Sequence, residues 1–406
     1  LFYSSKLKIF LGKLRKESFR FLVFSGLSTL LIYLLQFYLG NILPMSSFGQ
    51  FKYAMLAVSL SGLITLGYRD EYLLKALQSK GNIRELHKRY FGNFFYLVLV
   101  PLFFTAFLIG LFGNLFIALT LVYILAVQYI SFSEVWYFHT NIRSKIALRK
   151  LIKDLSILIS IFLLYTAGES DLLGVLFVFS LFSVLLLIFL QWENKLPTPS
   201  YKSLIMVSAK DGLIIQFNNY SNQIFMSLER IVIAFFCLDS VFGSYSYIML
   251  PFNAILIVGG IIGTYLYKNV VEDNGLLTKK RILEFLLYSF LCAILGTLFS
   301  YIVIMQKGEE FYERAFLLLS ALTVFANLFF LLIGQSWSRL KPSSNRNALY
   351  LNLLLISVTF CFSYIFNNLI SYLIIVALIS LIRLLVLLKL VFHDISIRTG
   401  VTGYRR

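Results

Sequence analysis

Residues 210–251 carry the pattern that decides the fold: Lys210-Asp-Gly-Leu-Ile-Ile-Gln-Phe-Asn-Asn-Tyr-Ser-Asn-Gln-Ile-Phe-Met-Ser-Leu-Glu-Arg230, an apolar run, then Asp239-Ser-Val-Phe-Gly-Ser-Tyr-Ser-Tyr-Ile-Met-Leu-Pro251. Polar residues punctuate an otherwise apolar helix at Gln216, Asn219, Tyr220, Gln223, Ser227 and Glu229-Arg230. The alternating spacing of four and three from Gln216 to Arg230 predicts that these groups share one face of one helix. After a turn at Asp239 the chain restarts as Gly243-Ser-Tyr-Ser-Tyr-Ile-Met-Leu250, which echoes an earlier segment.

The rest of the 406 residues has the same apolar character: 59% are hydrophobic, 14% are charged, and the mean hydropathy is +0.83. Soluble domains do not have this composition. Runs this apolar cross hydrocarbon as helices, because each backbone polar group must be satisfied within its own segment. Twelve spans are expected. In the first half they are Phe21 to Ile42, Phe51 to Leu66, Phe91 to Leu111, Leu115 to Ser133, Leu151 to Ala167 and Leu172 to Leu190. In the second half they are Leu213 to Phe236, Phe242 to Tyr267, Ile282 to Met305, Phe316 to Ile333, Leu349 to Phe366 and Ile370 to Leu390. The connections are short, so a functional site is expected between helices.

A net charge of +17 would point to nucleic acid in a soluble protein. Here its distribution matters instead, and no nucleic-acid partner is expected. On the twelve-span map, 32 of the 36 Lys and Arg residues fall on one side, including Lys153 and Arg383; Lys52, Arg230, Lys307 and Arg314 are left for the other. That asymmetry predicts a multi-pass protein with both termini in the cytoplasm. The basic amino-terminal stretch lacks a small-residue cleavage site and is expected to lead into an uncleaved first span. Cys237, Cys292 and Cys361 lie far apart in apolar segments, and no disulfide is expected.

Gly49-Gln-Phe-Lys-Tyr-Ala-Met-Leu56 and Gly243-Ser-Tyr-Ser-Tyr-Ile-Met-Leu250 match at Gly, Tyr, Met and Leu with an offset of 194. Each copy opens the second span of its half. The expected architecture is therefore an all-α integral membrane protein of two six-helix bundles, 1–196 and 197–406. They would be related by a pseudo-two-fold axis along the membrane normal, across a central cavity. The Pro-containing stretch Gln191 to Tyr201 separates them.

A charge in a span costs about 2.5–3.5 kcal/mol at mid-membrane and normally faces an interior or a water-filled cavity. The candidates for binding are Arg230 and Glu229, with Gln216, Asn219, Tyr220, Gln223 and Ser227 along the same helix, and Lys52, Tyr245, Tyr247 and Asn327 elsewhere. Each has a plainer alternative: an interfacial ion pair for Glu229-Arg230, a snorkelling side chain for Lys52, an aromatic belt for the tyrosines, and helix bridging for Asn327. His87, His139 and His393 fall in separate connections, and no Cys/His spacing reads as a metal site. There is no P-loop and no catalytic constellation, so the chain is not expected to be an enzyme.

Leu43-Pro-Met-Ser-Ser-Phe-Gly-Gln-Phe51 resembles the Leu-x-Pro-x-x-Phe-Gly-x-Tyr pattern of polysaccharide flippases of the Wzx type. Glu229-Arg230 with Phe242-Gly-Ser-Tyr245 is similar to the Asp-Arg and Val-Gly-x-Tyr region of that family. The family belongs to the multidrug/oligosaccharidyl-lipid/polysaccharide exporter superfamily, whose fold is MATE-like. The chain departs from the pattern at Gly40-Asn41, where an Ala-Arg is common, and in having Glu229 for Asp. The resemblance implies a flippase moving an undecaprenyl-diphosphate-linked oligosaccharide, an O-antigen or capsule unit, across the bacterial inner membrane by alternating access. It implies no cofactor beyond coupling to a H+ or Na+ gradient. The implied partners are the lipid-linked oligosaccharide, membrane lipids and the polysaccharide polymerase machinery. A multidrug exporter of the same superfamily is the alternative; its cavity would favour carboxylates. An O-antigen polymerase would carry a long external loop, which this chain lacks.

Overall fold

The computed structural model describes residues 2–78, 83–139, 143–168, 171–194, 210–256, 279–307, 314–340, 344–366 and 368–402. Among these the backbone is helical apart from short turns, with no strand. The chain divides into two compact units, Leu1–Tyr220 and Ser221–Arg406.

The first unit opens with α1 (Phe2–Ile42), which ends where Pro44 removes an amide donor. α2 (Met45–Leu60) follows and passes through a 3-10 turn at Ser61–Thr65. Leu66 (φ 48) and Gly67 (φ 78) then both take left-handed backbone, and α3 (Tyr68–Gln78) leaves at a 62° bend. The second expected span is thus a broken helix that continues past its predicted end. α4 (Ile83–Phe94), a π-helical turn at Phe95–Leu99 and α5 (Val100–Leu111) make one long crossing. The π turn sits just before Pro101, whose missing amide and bulky ring disrupt the ordinary ladder at that point. α6 (Leu115–His139), α7 (Arg143–Thr166) and α8 (Leu172–Asn194) complete the set, with α1 packed on α7 and α6 between α5 and α8. An aromatic core fills the α3, α4 and α6 junction: Phe94 stacks on Phe132 at 4.9 Å and Phe91 meets Tyr129 edge-on at 4.8 Å. His87 is fully buried there, stacked on Phe91 at 5.1 Å, with Nδ1 3.3 Å from the Tyr72 hydroxyl.

α9 (Lys210–Met226) begins in the first unit and ends in the second. The second unit continues with α10 (Leu228–Phe236) and α11 (Asp239–Ile248), and residues 250–256 are again helical. It closes with α12 (Lys279–Lys307), α13 (Arg314–Leu340), α14 (Ser344–Ile365) and α15 (Leu369–Thr402). α13 packs between α12 and α15 around Phe285, Phe329 and Leu387, and α10 lies against α14 and α15 around Phe225, Val232 and Tyr372.

Helix lies on every one of the twelve expected spans as far as they are described. Seven are long and apolar enough to cross a membrane as single helices, and the bent second span makes up to eight. The others differ for visible reasons: α7 carries Lys153 and Asp154 in its apolar part, the seventh span is interrupted, the eighth is described only to residue 256, and the eleventh is shorter. Outward-facing side chains are apolar, as at Phe103, Phe104 and Phe107 in α5 and Leu378 and Leu385 in α15. This is the pattern of helices that face lipid and pack on one another by van der Waals contact and buried polar groups. Both echoed segments lie near the start of a helix that follows a non-helical hinge, and each buries an aromatic ring: Phe51 lies on Phe179 at 5.5 Å, and Tyr245 on Phe316 at 5.8 Å.

Candidate functional site

The polar face predicted for residues 216–230 does not exist as one face. Ser227 (φ −104, ψ 4) interrupts the helix, and its amide is shared between the carbonyls of Gln223 and Ile224 at 3.0 Å each. The turn re-phases everything beyond it. Glu229 is directed into the second unit, where it is buried and accepts from Ser320 Oγ at 3.2 Å. The buried Tyr245 hydroxyl neighbours the same carboxylate without completing a hydrogen bond of normal geometry. Arg230 is half-buried and donates back to Ser227 Oγ at 3.0 Å. Tyr247 and Asn327 are buried in the same unit, Asn327 with an unsatisfied Oδ1, and Gln223 is exposed. The side chain of Asn219 lies outside the described residues.

In the first unit, Gln216 is 1% exposed and donates to the Gly62 carbonyl and, at 2.8 Å, to Thr65 Oγ1. Tyr220 covers Gly62. Both therefore serve the break in the second span. Lys52 is buried and donates to Gln36 Oε1 at 2.7 Å, with its ammonium 5.7 Å from the Phe48 ring centroid.

Two buried charged clusters lie away from these candidates. Lys153 lies within α7, 2.9 Å from Asp154 Oδ1, and Asp154 accepts a short bond from Ser28 of α1. Arg383 lies within the apolar crossing Leu369–Val391 and is 1% exposed. Its Nε donates to Asn352 Oδ1 at 2.8 Å and one terminal nitrogen to Asn222 Oδ1 at 2.6 Å. Its guanidinium carbon is 3.5 Å from the Phe330 ring centroid and 4.0 Å from that of Phe225. Asn352, fully buried, donates to Ser221 Oγ and Asn222 Oδ1, each at 3.0 Å.

Four helices of the second unit, α9, α13, α14 and α15, thus converge on one guanidinium. Among the described residues Arg383 makes no ion pair, and its other terminal nitrogen, NH1, has no hydrogen-bond partner. Burying an uncompensated cation costs several kcal/mol. Two aromatic faces and two amide oxygens offset part of that. They leave a donor pair and a positive charge available to an anion, and guanidinium geometry suits phosphate oxygens better than any other side chain. The signal in the sequence was an ionisable residue fourteen positions into an apolar run, which marks a site more often than a tail.

No protein-family profile matches the chain, and no curated protein matches it by sequence. Solved structures do match along the whole length. An outward-facing multidrug-resistance MATE transporter of the MOP superfamily is 15% identical, with a TM-score of 0.59 over 96% of both chains. An inward-facing structure of a multidrug-resistance MATE transporter of that superfamily is 15% identical, with a TM-score of 0.59 over 92% of this chain and 96% of that one. A MOP-superfamily transporter from Pyrococcus furiosus, described by a binding pocket of reversed polarity that suggests a different function, is 14% identical with a TM-score of 0.58 over 94% and 96%. The chain has the MATE fold. Both the all-helical class and the helical plan expected from the sequence agree with it.

Proposed function

We propose that the chain is a membrane transporter working by alternating access, and that its substrate is an anionic amphiphile: a polyprenyl-diphosphate-linked oligosaccharide, flipped for assembly into a surface polymer. The fold supports the first part, since proteins of this fold have been solved in both outward- and inward-facing forms. The observation that carries the second is Arg383, buried without a counter-ion and with a free donor. A diphosphate would supply the missing negative charge, and in a low-dielectric site that attraction is far stronger than in water. Asn352, Asn222 and Ser221 offer amides and a hydroxyl of the kind sugars require. Lipid takes the polyprenyl tail. Reaching NH1 requires the cluster to part, and that conformational step belongs to the proposal, as do coupling to a H+ or Na+ gradient, location in a bacterial inner membrane and hand-over to a polymerase.

Glu229 favours a second reading. A buried carboxylate could meet a cationic drug, and the neighbouring folds include multidrug exporters. Reconstitution separates the two. Purified protein in liposomes is expected to expose a polyprenyl-diphosphate oligosaccharide to an external glycosidase, and to leave a cationic dye unmoved. Dye export without oligosaccharide movement refutes the flippase reading.

A further inference from the structure

The break in the second span is held by a helix that is not its neighbour in sequence. Between Leu60 and Tyr68 the chain tightens into a 3-10 turn and then bends, and the Gly62 carbonyl accepts from the side chain of Gln216 in α9. Gln216 also bonds Thr65, and Glu71 in the first turn of α3 accepts from the amide of Gly212 at 2.6 Å. Glycines make this approach possible. A Cβ on Gly212 would lie 2.2 Å from the Gly67 carbonyl oxygen, one on Gly67 2.5 Å from the Leu213 amide nitrogen, and one on Gly62 1.1 Å from the Tyr220 hydroxyl oxygen. α6 also anchors the break, through Gln128 Nε2 to Ser61 Oγ at 2.7 Å.

Contacts of two kinds are therefore superposed. The α3, α4 and α6 junction is an interlocked aromatic core whose separation would cost packing throughout. The α9 contact is glycine-lined, closed by Tyr220 over Gly62 and joined by three polar bonds, each of which could be exchanged for water. On the sequence's charge distribution it lies at the end of the spans that faces the cytoplasm, where water is at hand. Ser221 and Asn222, one turn on in the same helix, belong to the Arg383 cluster.

We propose that the first half of α9 is a latch on the broken second span, docked in this structure and released in another state of the transport cycle. Released, the Gly62 carbonyl, Thr65 and Glu71 are hydrated; docked, they are satisfied by Gln216 and the Gly212 amide. The inference concerns the fold and is independent of what is carried.

Hydrogen–deuterium exchange on the full chain in lipid nanodiscs tests it without substrate. Gln216→Ala, and separately Gly212→Ala, are expected to speed amide exchange at 61–71 and 210–216 at least tenfold, with exchange of α8 unchanged. In a background lacking Cys237, Cys292 and Cys361, Thr65→Cys/Gln216→Cys bridged by a short bis-thiol reagent is expected to slow the same amides at least tenfold, reversibly on reduction. Unchanged exchange in both single variants, or equal exchange with and without the bridge, makes α9 a fixed strut and overturns the latch. A rise spread over every helix overturns it as well, by marking Gln216 as a general stabilising residue.

Discussion

Replacing Arg383 by Met separates binding from folding. The substitution keeps an unbranched apolar side chain that ends short of the guanidinium carbon resting on Phe225 and Phe330, and it removes the charge. The bonds from Nε to Asn352 and from the terminal nitrogen to Asn222 are lost. Asn352 still donates to Ser221 and Asn222, so one new orphan, Asn352 Oδ1, is created, at a cost of about 1–3 kcal/mol. Against this stands relief from burying a cation with no counter-ion, itself worth several kcal/mol. The two nearly cancel, and Arg383→Met should change unfolding free energy by less than about 2 kcal/mol. Transport should not survive as well. A charge-assisted bond from guanidinium to phosphate contributes about 1.5–3 kcal/mol, which is roughly a ten- to hundredfold loss in oligosaccharide translocation at limiting substrate. The assay pairs glycosidase accessibility in proteoliposomes with thermal unfolding of the same preparation. Arg383→Lys should keep the charge and lose the fork geometry, and so fall between wild type and Met. Full transport by Arg383→Met, or its failure to fold, would refute the assignment: the first leaves the arginine without a task, the second makes it a structural pin.

Gly62→Ala should drive a methyl into the Tyr220 hydroxyl and cost about 1–3 kcal/mol, read as a lower thermal midpoint, with Gly62→Ala/Tyr220→Ala recovering most of it. Removing one partner of the buried Lys153–Asp154 pair, by Lys153→Met or Asp154→Leu alone, should destabilise by about 3–5 kcal/mol, and the double substitution by clearly less than the sum in a thermal double-mutant cycle. His87→Phe should fill the aromatic core and shift stability by under about 1.5 kcal/mol, because it also removes an unsatisfied Nε2, whereas His87→Ala should cost about 3–5 kcal/mol.

Helical class and helix placement were legible because apolar runs bounded by Pro44, Gly113 and charged clusters follow from the requirement that hydrocarbon places on a backbone. What escaped was local backbone re-phasing. Ser227 is no breaker by type, and its turn redirects Glu229 inward, so a spacing argument that assumes unbroken helix assigns wrong neighbours. The 62° bend at Leu66-Gly67 escaped for the same reason, since a single glycine after an apolar run reads equally well as a helix end. Arg383 and Lys153 do not stand out as sites in the sequence because long basic side chains near span ends usually snorkel to water. Sequence alone does not reveal that Asn352, Asn222 or Asp154 stand ready to hold them in place.

That α9 gives its residues up to Tyr220 to the first unit and those from Ser221 to the second bears on how the chain can be divided. A break introduced into the backbone between 195 and 209 would leave both α8 and α9 whole. The amino-terminal fragment it produced would end before Gly212 and Gln216. It would carry the Gly62 carbonyl, Thr65 and the Glu71 carboxylate without their partners on α9, and could not be purified as a faithful half. Paired expression of the two fragments, rather than either one alone, is the form in which this chain can be taken apart.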